Sequence, residues 1–95
     1  MAETIDDITI SYMEDGVEVT KELEKEVLTK GAWTTIMFRY QDWDRQKNEY
    51  GPEKFSIRRY QKRYGEYKQK SKFNISSKDQ AKSIISILEK WTKDS

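Results

Sequence analysis

Apolar and polar positions alternate with a period of two along most of this chain and switch to a helical period only near its end. Ile8, Ile10 and Tyr12 alternate with polar residues, as in a half-buried strand, and Asp15-Gly16 follows as a tight hairpin turn. Val17, Val19, Leu23 and Val27 share one parity against Glu and Lys. The step from Leu23 to Val27 skips Lys25, which predicts a strand that bulges or ends early. A helix over residues 20–28 is the alternative, because Glu, Lys and Leu are good helix formers, and strand is the favoured reading. Residues 33–43 are dense in β-branched and aromatic types and read as a strand partly apolar in both parities, either covered on both faces or with aromatics exposed on one. Residues 54–62 read as a strand with Phe55 and Ile57 inward and Arg58, Tyr60 and Lys62 outward. In residues 66–75, Tyr67, Phe73 and Ile75 share one face, and Lys68, Lys70 and Lys72 occupy the other.

The tail has a different period. Ser77-Lys-Asp-Gln80 fits a capping box, and Ala81, Ile84, Ile85, Leu88 and Trp91 then form an apolar stripe. A lone amphipathic helix after a run of strands is expected to bury that stripe on the sheet. The fold class is therefore α+β: a curved antiparallel sheet of four or five strands and one C-terminal helix. One domain spans residues 1–95, with an acidic hairpin over 5–29 and the core over 33–92.

Composition removes several chemistries. The chain has no Cys and no His, which excludes disulfides and thiolate chemistry and removes the commonest general base and metal ligand. No loop has the Gly and Lys content of a phosphate-binding fingerprint, and no acidic run has metal-loop spacing. The reading is a non-enzyme with no cofactor, no metal and no small-molecule substrate. No apolar run reaches membrane-spanning length, and MAETIDDITI has no basic leader, so a cytoplasmic protein without membrane contact is expected, with nucleoid association as an option.

Charge changes the picture most. The net is only +1, yet residues 1–30 carry nine acids against three bases, and residues 31–72 carry eleven bases against five acids. Within residues 54–72, eight bases face the single acid Glu66. Lysine on an exposed strand also discourages edge-to-edge pairing. A sheet that concentrates cations and interleaves tyrosines nevertheless suits an anionic ligand whose bases stack. The candidate nucleic-acid contacts are Arg58, Tyr60, Lys62, Tyr67, Lys68, Lys70 and Lys72, joined by Arg39 and Trp43 from the preceding strand. Single-stranded DNA, with RNA as an option, is the expected partner. The alternative is a protein-interaction module that docks an acidic partner on the basic face, motivated by the charge asymmetry.

The stretch Glu53-Lys-Phe-Ser-Ile-Arg-Arg-Tyr60, then Tyr64-Gly-Glu-Tyr-Lys68, then Lys72-Phe-Asn-Ile75 and the capped helix resembles the positive-cofactor-four family of transcriptional coactivators. The likeness covers roughly residues 33–92, and purine-rich-element-binding repeats and Whirly proteins share the plan of four strands then a helix. The resemblance implies a homodimer with grooves for single-stranded DNA, a role in transcription regulation or single-strand maintenance, and DNA contact by Arg58, Lys68 and one or two of Lys70 and Lys72. The family often carries an aromatic where this chain has Gln61, and the loop over residues 45–52 is longer here.

Overall fold

In the computed structural model, which describes residues 2–93, six antiparallel strands form one curled sheet and a single helix follows it. The strands are β1 (Tyr12–Glu14), β2 (Val17–Thr29), β3 (Trp33–Asp44), β4 (Glu49–Tyr50), β5 (Lys54–Arg63) and β6 (Glu66–Ile75), and the helix is α1 (Lys78–Thr92). Their order in the sheet is β1-β2-β3-β5-β6, with the short β4 folded back onto the end of β3. The punctuation sets these bounds. Asp15-Gly16 and Tyr64-Gly65 both have positive φ at both residues, the geometry whose twist matches flanking antiparallel strands.

β2 is a strand throughout, and its register shifts between Glu22 and Glu24 and between Val27 and Thr29, on either side of the skipped Lys25. Residues 8–11 differ from expectation. They form no ladder, and with the 3-10 turn Ile5–Asp7 they make a strap (residues 2–11) lying across one face of the sheet. The strap supplies Ile8 and Ile10 to a core completed by Ile36, Phe38, Tyr40 and Tyr60. Full burial of Ile36 and Phe38 contributes about 1.5–3 kcal/mol each.

Polar groups fasten the strap. Lys25 Nζ donates to the carbonyls of Ile5 (2.8 Å), Asp6 (3.2 Å) and Ile8 (2.6 Å). Thr9 Oγ1 and Ile10 N both donate to the Glu22 carboxylate, at 2.8 and 3.2 Å. Tyr67 N donates to Ala2 O at 2.8 Å, an isolated bridge onto β6.

The helix is where the expectation of packing fails. Its cap forms as anticipated, with Gln80 N donating to Ser77 Oγ at 3.1 Å, and Gln80 Oε1 accepts from Ser76 N at 2.9 Å. Yet no residue of α1 is buried, and Ile85, Ile87, Leu88 and Trp91 are exposed, Trp91 at 73%. The strap already covers the core face, so the helix has no such face to cap. It leaves the end of β6 and touches little else. The described chain is accordingly flat, 49 × 39 × 17 Å.

Candidate nucleic-acid interface

β5 and β6 form a two-stranded ribbon that carries eight bases against one acid, Glu66. Its register runs Phe55↔Ile75, Ile57↔Phe73, Arg58↔Lys72 and Arg59↔Ser71, slips at Tyr60↔Gln69, and continues Gln61↔Lys68 and Lys62↔Tyr67. The slip is a bulge that leaves Lys70 without a partner. Because side chains alternate, one unpaired residue exchanges the faces beyond it. The predicted common face of Arg58, Lys62, Lys68, Lys70 and Lys72 is therefore divided. Arg58, Lys62 and Lys72 share the strap face with Tyr60, Tyr67 and Gln69. Lys68 lies on the opposite, open face beside Gln61, together with Arg59.

Tyr60 is not an outward platform. It is 6% exposed and packs with Ile36 and Phe38 under the strap. Thr34 and Ser56 are buried on the same side, and Phe55 and Ile57, expected inward, are half-buried on the open face. The physical reason is that β3 is apolar on both parities, so its small and aromatic even-numbered side chains could accept the strap. Burial raises the Tyr60 and Tyr40 pKa values above that of free tyrosine, with Asp42 adding to the rise at Tyr40 and Arg58 opposing it at both.

Tyr67 is half-buried and lines a groove of about 450 Å³ between strap and sheet, with Glu3, Asp7 and Thr9 on the other wall. Lys62 Nζ lies 5.2 Å from its ring centroid. Arg58 is oriented by Ser56 Oγ (3.0 Å) and Gln69 Oε1 (3.1 Å), and the Ser56 hydroxyl donates to Asn74 Oδ1 at 2.7 Å.

The two candidates on β3 are otherwise engaged. Arg39 pairs with Glu24 at 2.6 Å and Glu53 at 3.0 Å, and hydrogen bonds from its guanidinium to Glu53 and then Glu24 hold it more firmly charged than usual. Trp43 packs edge-on against Tyr50, with ring centroids 5.0 Å apart. The remaining ion pairs join Arg45 to Glu14 and Lys54 to Asp42. Among the described residues, no ion pair engages Arg58, Arg59, Lys62, Arg63, Lys68, Lys70 or Lys72.

Sequence reasoning passed over Trp33. It begins β3, is 42% exposed on the open face, and has the Arg59 guanidinium 4.5 Å from its ring centroid. The signal available was its position directly after Gly31-Ala32, at a strand end.

Among the described residues no cluster of acidic side chains is placed to hold a metal ion, and no helix is long and apolar enough to cross a membrane. Compared with protein-family models, curated proteins and solved structures, the chain has no significant match to any.

Proposed function

We propose that this chain binds single-stranded nucleic acid, DNA foremost, along the β5–β6 ribbon, as a homodimer without catalytic activity. The observation that carries this reading is the set of seven ribbon cations with no ion-pair partner among the described residues. Like charges on adjacent strands repel, and Arg58 lies directly opposite Lys72. A polyanion relieves that repulsion and releases counterions as it binds. The resemblance to the positive-cofactor-four coactivators, and through it the plan of four main strands then a helix, supports the same reading.

A second copy is the proposed cover for the helix. Met37, Ile57 and Phe73 form an apolar row across β3, β5 and β6 on the open face, and α1 follows directly from that end of β6. Exposed Phe73, Ile85, Leu88 and Trp91 would gain burial together against their equivalents.

The test is fluorescence anisotropy of a labelled oligo-dT titrated at several salt concentrations, beside a duplex of equal length. The expected result is tighter binding to the single strand, with log affinity falling linearly in log salt. Absence of binding at low salt would overturn the reading. One observation favours docking of an acidic protein segment instead, since the chain's own acidic strap already lies on one face of this sheet. Competition by polyglutamate as effective as by oligo-dT of equal charge would select that reading, because polyglutamate has nothing to stack.

A further inference from the structure

The two faces of the basic ribbon are not equivalent surfaces for an anion. On the strap face, the bases of a single strand would meet Tyr60 already enclosed, Tyr67 half-covered with its N–H bonded to Ala2 O, and the carboxylates of Glu3 and Asp7 along the groove. On the open face, three rows cross β3, β5 and β6: Trp33–Gln61–Lys68, Thr35–Arg59–Ser71 and Met37–Ile57–Phe73. Neighbouring members of a row stand about 4.8 Å apart. The first two rows contain cations, hydrogen-bonding groups and an exposed indole, and no carboxylate. The third is the apolar row assigned above to a second copy.

We infer that the open face is the nucleic-acid-binding face and that Trp33 is its base-stacking platform, with Arg59 and Lys68 taking the flanking phosphates; this rests on the nucleic-acid reading proposed above. Trp33 is firmly seated for that purpose. It pairs with Gln61 in the β3–β5 ladder, Lys62 N donates to Ala32 O at 2.8 Å, and the Thr34 hydroxyl donates to Gly31 O at 3.1 Å. A platform fixed by backbone bonds loses little freedom when a base lands on it. Arg59 lies over the indole in the free chain, so the ring and a phosphate donor are already adjacent. An arriving base replaces the guanidinium on the ring, and the long Arg59 side chain swings to the neighbouring phosphate. Gln61, between Trp33 and Lys68, offers an amide to a base edge. The strap's carboxylates disfavour a polyanion on the opposite face, which leaves Arg59 and Lys68 as the ribbon cations it meets on the open side.

The experiment compares oligo-dT binding by the full chain and three variants across a salt series, with circular dichroism confirming that each is folded. Trp33→Ala is expected to weaken binding by about 5- to 100-fold, the range a single base stack commands, with the salt slope unchanged. Trp33→Phe, which keeps a ring at this position, is expected to restore most of the affinity. Arg59→Ala with Lys68→Ala is expected to weaken binding and lower the salt slope by about 1.4. Arg58→Ala with Lys72→Ala, on the strap face, is expected to weaken binding less than the Arg59 and Lys68 pair does, through the loss of long-range charge alone. A parent that binds oligo-dT while Trp33→Ala binds equally well, or while the loss resides in the Arg58 and Lys72 variant, overturns this assignment and leaves the nucleic-acid reading standing. A parent that does not bind oligo-dT overturns both.

Discussion

The Tyr60 hydroxyl lies beneath the strap, and burial makes its ionisation harder than in an unfolded chain. Tyr40 is shifted in the same direction, again mainly by burial. A group whose folded pKa is raised contributes stability that is complete below its unfolded pKa, about 10 for tyrosine, and is lost as pH rises through the folded value. The melting temperature is therefore expected to fall as pH climbs above about 10. Tyr60→Phe, which keeps the ring and removes the proton, is expected to show a shallower decline in thermal melts between pH 8 and 11. Parallel curves for parent and variant would show that the Tyr60 hydroxyl does not titrate under the strap. The same residue marks a limit of sequence reading. Phe55-Ser-Ile-Arg-Arg-Tyr60 is amphipathic in both parities, so alternation alone could not decide whether Phe55 and Ile57 or Ser56 and Tyr60 faced the core. The deciding partner is the strap, nearly fifty residues away in sequence.

The breaks at Gly16, Gly31 and Gly65 were well marked, because Gly and the residues before it end the alternation there, while the start of β1 at Tyr12 and the short β4 were not. That β2 is irregular was legible from the apolar position skipped at Lys25, although the register shifts fall on either side of it, between Glu22 and Glu24 and between Val27 and Thr29. The β6 bulge was not. Lys68 to Lys72 keeps a strict alternation of Lys with Gln and Ser, and nothing in that repeat signals a residue without a partner. It places Lys68 on the face opposite Lys72. The helix shows a related limit: its stripe and cap were readable, yet a stripe states that something covers it and not what. A lone helix of 15 residues is marginal in water. The far-ultraviolet helical signal is therefore expected to grow with protein concentration as copies associate. Leu88→Asp is expected to hold the chain monomeric in sedimentation and to weaken that signal while the strand signal persists. A concentration-independent spectrum from a monomeric parent would remove the helix from any interface between copies.

At the scale of the whole molecule, charge and architecture are segregated together. The acidic first third supplies the strap and β2, the basic middle supplies β5 and β6, and β3 joins the two. A chain only 17 Å thin cannot surround its own backbone. Its protection against exchange with solvent deuterium must then be graded laterally across the sheet and not inward toward a centre. Amides of β3, hydrogen-bonded between β2 and β5 and roofed by Ile8 and Ile10, are expected to exchange slowest. Those of β1, the outer edge of β6 and α1 should label within the earliest time points of a mass-spectrometric series. If α1 instead labels as slowly as β3 at high concentration and rapidly on dilution, the missing second layer is supplied by another copy. The deuterium map of this flat sheet would then serve as a direct record of its assembly.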